Sequence, residues 1–554
     1  MMSNYILGQI KHKALRLSVR QGLYQIALPL FRSRARKIKH PKSNLGLIKN
    51  PMSDCWPGKA NQGSKILDGD FEFLGKIIHQ SNRPWLVQDA SDSWIENVAG
   101  FDWLDDLRAV GTDTARIKIR ELILLWIKTQ EFEKQNLAWK PEITGRRLAN
   151  WLGHREFLST RADIDFINEF ESSILRQTLF LRQVEKLIGP GFNRIETYKG
   201  LILSSLSISN KRLLKKWCKN IDREIAQQIL VDGGHISRNP ATLLMFLRHL
   251  IDIRSALKNS NEDISEIIQH TIDKISPMIR FFRHGDGGLA LFNGSDENEG
   301  WLIDIILGRS EARGNPINST PHIGFERLEA NRTLLLIDTG NSPPINFDIG
   351  SHAGALSFEM SVGKERIITN CGAHIGAIDS WSEVQRTTAA HSTITVEDLN
   401  SAELLRKSGI GTRPHSVQAK RQEGDGNVWI DASLTGYGGN KIVNHHRRIY
   451  LAANGNDVRG EDKITGKDSQ KFIARFHLHP TVRASMVGHA DTVLIRTPRG
   501  LGWRFKSSGG AVSLQEGVYL GLSGQIKRTE QIVVSSVTKG ETGQIRWAIS
   551  RVDS

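Results

Sequence analysis

The chain has 554 residues, a length that predicts more than one domain. Its composition, 39% hydrophobic and 24% charged, is typical of a globular protein and excludes a largely disordered chain. Three widely spaced cysteines exclude a disulfide scaffold and a cysteine zinc site, and no apolar run is long enough to predict a membrane-spanning helix.

The first segment, residues 1–60, is predicted to be a basic N-terminal arm. Residues 1–50 hold eleven Lys and Arg and no Asp or Glu, which leaves 63 basic against 59 acidic residues in the remainder. The stretch ALRLSVRQGLYQIALPLFRS is amphipathic and basic, so the arm either contacts an anionic membrane surface or packs on the body of the protein. The near balance of the remaining charge argues against nucleic acid as a partner.

Residues 61–315 are predicted to form a domain of helical hairpins. Segments such as TARIKIRELILLWIKTQ and PATLLMFLRHLIDIRSAL repeat their apolar residues with helical spacing, and short Gly, Pro and Asn breaks separate them. Successive antiparallel helices joined by short loops indicate a helical array or toroid.

Residues 325–554 are predicted to form an antiparallel β-sandwich domain. Segments such as RTLLLIDTG, RIITNCG and TVLIRTPRGLGWRF alternate or are rich in β-branched residues, with turn residues between them. In GSHAGALSFEM, the alternation from Leu356 to Met360 predicts a half-buried strand. The intervening GRSEARGNPINSTPHIG has the composition of a linker. The P-loop, the GxGxxG turn and the GxSxG elbow are all absent from the sequence.

Polar residues cluster in several predicted loops. GPGFNRIETYKG ends a loop at Asn193, VDGGHISRNP holds His235 and Arg238, and GDGGLALFNGSD contains Asn293. SHAGALSF and RTTAAHSTITVED each place a histidine just before a strand. Polar side chains at the ends of helices and strands are typical of a binding cleft.

These segments, in this order, resemble the heparinase II/III family of polysaccharide lyases. HAGALSFEM, NCG and TTAAHSTITVED are similar to the C-terminal signature of the family, and FDWLDDLR, TGRRLANWL, DGGHISRNP and DGGLALFNGS are similar to landmarks of its helical half. The resemblance implies an α+β multidomain fold, with an N-terminal (α/α) toroid of helical hairpins followed by a C-terminal antiparallel β-sandwich domain. It also implies an acidic, uronic-acid-containing polysaccharide as the partner.

The chemistry implied by the resemblance is β-elimination. A donor must neutralise the uronate carboxylate, a base must remove the C5 proton, and an acid must protonate the leaving oxygen. Asn193 matches the neutralising position, and the following Arg194 stands where the family has histidine. The positions of the catalytic tyrosine and histidine of the family are occupied here by Thr242 and Gly350.

Two residues are candidate substitutes for the missing acid and base. His235 has an ordinary pKa near neutrality, and Tyr198 lies one helical turn after Arg194. The alternative for His235 is a structural one, in which it caps a helix or bonds within its own loop.

The resemblance also implies a metal site. His352 and His391 match metal ligands of the family, Asn370 stands in place of an aspartate ligand, and Gly354 occupies the position of another aspartate. These residues predict either a zinc site at His352, Asn370 and His391 or a hydrogen-bonded histidine pair, because two histidines are too few for a closed zinc site.

Four further residues are predicted to bind substrate. Arg238 and Asn293 lie in the polar loops, and Trp103 and Trp139 are either sugar-stacking platforms or core residues.

Two functions follow from these residues. One is a lyase that cleaves an acidic polysaccharide, and the other is a non-catalytic glycan-binding or cell-envelope protein with the lyase fold. The resemblance implies the periplasm or envelope, whereas the N-terminus has no clear signal peptide, which favours the cytoplasm.

Overall fold

The computed structural model describes residues 49–52, 55–80, 83–130, 137–374, 379–406, 409–437, 443–488, 491–522 and 524–552. The amphipathic segment of the predicted N-terminal arm lies outside the described residues. The described chain forms two compact units. The first extends to Gln227 and also includes Arg248–Gln269, and the second consists of Gln228–Leu247 and the chain from His270 onward.

Helices dominate the chain up to Ser310. Many begin with a capping side chain: Asp163, for example, accepts the backbone N–H of Phe166 at 2.6 Å. The helices of this region are α1 (Ala60–Leu67), α2 (Asp92–Gly100), α3 (Leu104–Val110), α4 (Asp113–Gln130), α5 (Pro141–Gly153), α6 (Arg155–Ser159), α7 (Ile164–Val184), α8 (Asn193–Ser207), α9 (Lys211–Gln228), α10 (Pro240–Asn259), α11 (Glu266–Phe281) and α12 (Gly300–Ser310).

Two glycines set the close packing of α5 against α8 in the first unit. A Cβ on Gly145 would lie 2.5 Å from the carbonyl oxygen of Glu196, and a Cβ on Gly200 would lie 2.6 Å from the Cα of Gly145. Side chains at these positions would push the helices apart. This contact positions the start of α8, where Asn193 lies.

The strands form two large antiparallel sheets and one small hairpin. The hairpin, β1 (Asp70–Phe73) with β2 (Lys76–His79), lies among the helices, where the sequence predicted no strand. The remaining strands are β3 (Ser319–Thr320), β4 (Phe325–Ala330), β5 (Thr333–Asp338), β6 (Phe358–Val362), β7 (Glu365–Thr369), β8 (Ile394–Val396), β9 (Ser416–Gly424), β10 (Asn427–Gly436), β11 (Val443–Leu451), β12 (Asp457–Thr465), β13 (Lys471–Leu478), β14 (Arg483–Val487), β15 (Thr492–Arg496), β16 (Gly502–Ser508), β17 (Ala511–Tyr519), β18 (Lys527–Val537) and β19 (Thr542–Val552). A short helix, α13 (Asp379–Val384), follows β7.

The two sheets pack face to face in the second unit. One has the order β14-β15-β16-β19-β12-β11-β10-β9, and the other has the order β17-β18-β13-β7-β6-β5-β4-β3, with β8 paired to β13. Apolar side chains from both sheets fill the space between them. The rings of Phe358 and Trp547, one from each sheet, stack with centroids 5.3 Å apart.

The predicted α+β class, with a helical region followed by antiparallel sheets, is confirmed. Helix α12 ends at Ser310 and β3 begins at Ser319, so only residues 311–318 of the predicted linker, residues 308–324, lie between them. The predicted domain limits at residues 60, 315 and 325 stay predictions. Within the described residues, every helix is too short or too polar to cross a membrane.

Candidate functional site

The loop between α9 and α10 lies in the second unit and carries His235. The Nδ1 atom of His235 accepts the backbone N–H of Ser237 at 3.1 Å, and its Nε2 atom lies 3.0 Å from Oε1 of Gln228, to which it donates. The side chain is 1% exposed, and burial lowers the pKa of His235 to about 3. The ring is therefore neutral with both nitrogens engaged, which agrees with the structural alternative for this residue.

The side chain of Arg238, three residues after His235, is buried and bound to other residues of the protein. Its guanidinium forms an ion pair with Asp338 at 2.5 Å and donates to the carbonyl oxygens of Ile323 (2.7 Å) and Gly324 (2.9 Å). Arg238 is only 6% exposed. This geometry is unfavourable for the substrate-binding role, which stays a prediction, because the guanidinium donors are turned toward β5 and the chain before β4.

Asn293 belongs to the same buried loop cluster. Its Nδ2 donates to the carbonyl oxygen of Arg238 at 3.3 Å, and its own carbonyl accepts the side-chain N–H of Asn239 at 2.9 Å. Asn293 is 6% exposed, which is unfavourable for the substrate contact predicted for it, and that contact stays a prediction. The polar residues of this loop hold the loops to one another.

The two histidines of the predicted metal site do meet. His352 Nδ1 lies 3.0 Å from His391 Nε2, and His391 Nδ1 lies 2.8 Å from the carbonyl oxygen of Thr387, to which it donates. His391 Nε2 therefore accepts from His352. Burial lowers the pKa of His391 to about 4 and that of His352 well below its ordinary value, so the pair is neutral.

The side chain of Asn370, the third predicted ligand, forms hydrogen bonds with other residues. Its Oδ1 accepts the backbone N–H of Ser392 at 3.0 Å, and its Nδ2 donates to Glu359 at 3.2 Å. The predicted set therefore supplies two nitrogen donors, which do not fit a zinc ion. The arrangement agrees with the alternative of a hydrogen-bonded histidine pair.

Two glycines explain why the pair has this form. A Cβ on Gly354 would lie 2.6 Å from Cδ2 of His391, so the imidazole occupies the space that an aspartate at this position would need. Gly350 has a φ of 79° and open space around the position of a Cβ. A histidine at Gly350 would have room but would adopt the left-handed backbone region that favours glycine.

A buried acid that sequence analysis missed lies beside the histidine pair. Glu359 is 0% exposed, its carboxylate lies 2.9 Å from Nε2 of His284, and it accepts backbone N–H groups of Asn370 (2.9 Å) and Leu291 (3.2 Å). The strand predicted here is present as β6, but it is buried at all five positions, so the predicted half-burial is wrong. The loop at residues 284–291 covers the polar side of β6. The alternation of apolar and polar residues in the sequence did not predict that this side would be buried.

In the first unit, α8 carries the other candidate catalytic residues. Asn193 is exposed, and its side-chain N–H donates to Glu142 at 3.1 Å. Tyr198 is 2% exposed, accepts from Arg194 at 2.7 Å and donates to Glu185 at 3.0 Å. Burial and the neighbouring carboxylate raise the pKa of Tyr198 above its ordinary range.

These contacts leave one exposed polar group, Asn193, at the start of α8. Arg194 forms a further ion pair with Glu224 at 2.7 Å. The phenol of Tyr198 is held in its protonated form inside the unit, which is unfavourable for a residue that must exchange a proton with substrate.

Trp103 and Trp139 lie in the core of the first unit. They are 1% and 2% exposed, respectively. The Trp103 indole donates to the carbonyl oxygen of Val98 at 3.1 Å, and Trp139 contacts Phe180 with ring centroids 4.9 Å apart. Their burial agrees with the core alternative, and the sugar-stacking role stays a prediction.

A different set of residues in the first unit has the donor types of a metal site. The ligand atoms of Cys55, Asp105 and His154 lie within 4.8 Å of one another, the one such group among the described residues. His154 Nε2 is 3.1 Å from Asp105 Oδ1. Burial disfavours the charged imidazole, but Asp105 and Cys55 outweigh it and raise the pKa of His154 to about 10. The protonated ring therefore forms an ion pair here.

Known proteins resemble this chain in sequence, some over one domain and one over nearly its full length. Residues 312–548 match the family model described as "Heparinase II/III-like, C-terminal". A Caulobacter vibrioides protein named FtsZ-localized protein C is 28% identical over 547 residues, covering 93% of this chain and 92% of that protein. Sequence similarity to this relative therefore extends over nearly the full length of both chains.

Solved structures extend the likeness to the complete fold. Heparinase III has a TM-score of 0.73 at 14% identity, with 97% of this chain and 92% of that chain covered. A mutant of the heparan sulfate lyase HepC from Pedobacter heparinus has a TM-score of 0.61 at 14% identity, with coverage of 96% and 88%. At these identities the likeness shows a shared fold, and the resemblance stated from the sequence is confirmed.

Proposed function

Because residues 312–548 match the heparinase II/III-like C-terminal family model, we propose that the protein binds an acidic polysaccharide without cleaving it. The observation that carries this proposal is the state of His235. Its ring is buried and neutral, and both nitrogens are hydrogen-bonded within the protein. A base for the elimination needs a nitrogen lone pair directed at substrate.

The other candidate groups support the same proposal. Tyr198 is enclosed between Arg194 and Glu185. Gly350 and Thr242 offer no group that could take up or release a proton near neutral pH. Asn193 keeps the exposed amide that could contact a uronate, a role in binding that does not require proton transfer.

The test combines a cleavage assay with a binding assay on the full chain. Heparan sulfate, chondroitin sulfate, hyaluronan and alginate are each incubated with the protein, and the ultraviolet absorbance of the unsaturated uronide product is followed. Binding of the same polymers is measured by calorimetry. We expect binding of at least one polymer and no increase in absorbance.

Two outcomes would contradict the proposal. Absorbance that grows with wild-type protein and is lost in His235→Ala would identify a lyase that uses this histidine. Absence of binding to every acidic polymer would reject the glycan partner. Asn193→Ala, at an exposed position, is the matched variant for the binding arm, and weaker binding is expected.

A second candidate function is association with FtsZ. It is supported by the 28% identity to FtsZ-localized protein C, which extends over 93% of this chain. The two candidates are compatible, since a glycan-binding protein can also be placed by a protein partner. Co-sedimentation of the full chain with polymers of purified FtsZ tests the second one: recovery in the pellet only when FtsZ polymerises is expected, and recovery independent of FtsZ would reject it.

A further inference from the structure

The outward face of the eight-stranded sheet carries side chains unlike those of an ordinary solvated sheet. The pairing of β10, β11, β12, β19 and β16 aligns one residue from each strand in a single row across this face. We call it the aromatic row, and it consists of Trp429, Tyr450, Arg459, Ala548 and Lys506. With neighbouring strands about 4.8 Å apart, the row spans about 19 Å.

One end of the row is an aromatic pair. The rings of Trp429 and Tyr450 have centroids 5.1 Å apart at an interplanar angle of 45°. The Tyr450 hydroxyl donates to Oδ1 of Asn427 at 2.8 Å, which fixes the orientation of the ring. Both side chains are half-buried, so part of each ring remains open to solvent, and the guanidinium carbon of Arg459 lies 5.9 Å from the centroid of the Tyr450 ring. Held rings of this kind offer flat apolar surfaces for a ligand to stack on.

The centre of the row is a groove. Ala548 has only a methyl group, so the surface is low between Arg459 and Lys506, its neighbours on either side in the row. The groove has a volume of about 630 Å³ and is lined by Trp429, Arg448, Tyr450, Arg459, Gly460, Glu461, Lys506, Ser507, Ser508, Arg546, Trp547 and Ala548.

The cations of the groove are accessible. The side chains of Arg448, Arg459, Lys506 and Arg546 are 54%, 68%, 65% and 67% exposed, respectively. The sheet pairing turns further basic residues to the same face, where they outnumber the acidic ones. The basic residues are Lys420, Arg448, Arg459, Lys463, Arg483, Arg496, Arg504, Lys506 and Arg546, and the acidic ones in these strands are Asp431, Asp457 and Glu461.

The acids of this face distinguish between two kinds of anionic polymer. Arg448 Nε donates to Asp431 at 2.9 Å, and Arg546 Nε donates to Glu461 at 2.9 Å. Each carboxylate orients a guanidinium and also offers an acceptor at the groove. Such acceptors can bond to the free hydroxyl groups that a polysaccharide presents along its length and that the sugars within a DNA strand lack.

From this geometry we propose that the outer groove binds a strand of acidic polysaccharide. Sugar rings stack on Trp429 and Tyr450, and carboxylate or sulfate groups meet Arg459 and Lys506. The inference rests on the proposed function, to which it adds a second binding surface, and that surface lies entirely within the second unit, whereas Asn193 belongs to the first.

The test measures binding of the full chain to heparan sulfate and alginate. Trp429→Ala and the double variant Arg459→Ala/Lys506→Ala are each expected to weaken binding by about tenfold or more, the factor that corresponds to about 1.4 kcal/mol. Added salt should weaken binding of the wild type more than binding of the double variant. Arg528→Ala is the matched control, because its side chain is 87% exposed on β18, in the other sheet.

The outcomes separate this inference from the proposed function. Glycan binding that is unchanged in both groove variants would overturn the groove assignment and leave the proposed function intact. No glycan binding by the wild type would reject the proposed function. Binding of neutral dextran equal to that of alginate would overturn the acidic class, and tighter groove-dependent binding of single-stranded DNA would replace the glycan by a nucleic acid.

Discussion

Replacing Arg238 with alanine tests whether this residue holds the fold or a ligand. The guanidinium pairs with Asp338, donates to two carbonyl oxygens of residues 323 and 324, and is 6% exposed. Removal of one partner of a buried ion pair costs about 3–5 kcal/mol, because the other charge is left without compensation. The variant should therefore unfold more easily, while a direct effect on ligand binding is not expected.

The pH dependence of this cost follows from Asp338. Burial raises the pKa of Asp338 above its ordinary value, and Arg238 opposes the rise. Without the arginine the carboxyl group should take up a proton more readily. A folded-state pKa above the unfolded-state value gives stability that is present at low pH and lost as the pH rises, so the deficit of the variant should shrink as the medium is acidified.

The assay is thermal unfolding of the full chain followed by calorimetry at several pH values. A loss of about 3 kcal/mol corresponds to a decrease in the unfolding midpoint of about 5 °C, because the entropy of unfolding is about 2.1 cal/mol/K per residue and the second unit has roughly 300 residues. Arg448→Ala, at a position 54% exposed, is the control and should change the midpoint little. An unchanged midpoint with reduced glycan affinity would refute the structural role assigned to Arg238.

Three further predictions concern buried contacts. Asp462→Ala should destabilise the protein by about 3–5 kcal/mol in chemical denaturation, since Asp462 is 0% exposed and binds Arg447 at 2.6 Å; a loss below about 1 kcal/mol would contradict this. His154→Asn should remove a pH-dependent contribution. Because Asp105 helps to raise the pKa of His154 from 6.5 to about 10, the free energy of unfolding of the wild type should exceed that of the variant fully below pH 6.5, and the excess should vanish toward pH 10. An excess that stays constant across that range would refute this prediction. Gly354→Ala should cost about 1–3 kcal/mol in thermal unfolding, because the new Cβ would lie 2.6 Å from a histidine ring, and an unchanged midpoint would show that the ring can move away.

The local pattern of the sequence was sufficient for the order and class of the elements. Apolar spacing placed a helix over Thr114–Gln130, and the structure has it at Asp113–Gln130. The loop predicted to end at Asn193 does end there, where α8 begins. Periodicity predicts such elements because each depends on which side chains of one segment share a face.

The hairpin at residues 70–79 and the outer groove could not be predicted in this way. The hairpin is formed by two short strands whose pairing is visible only in the fold. The aromatic row takes one residue from each of five strands, from Trp429 to Ala548, and its alignment depends on the register of every pairing between them.

The sequence by itself indicated the resemblance to the heparinase II/III family, the helical and β halves and, through that resemblance, Thr242 and Gly350 at the positions of the usual acid and base. Only the tertiary structure decided what the remaining candidates do. Arg238 finds its partner one hundred residues away, and Glu359 becomes fully buried because a distant loop covers it. Whether a polar side chain binds a ligand or holds the fold depends on its burial and on its long-range partners, and these are properties of the folded chain.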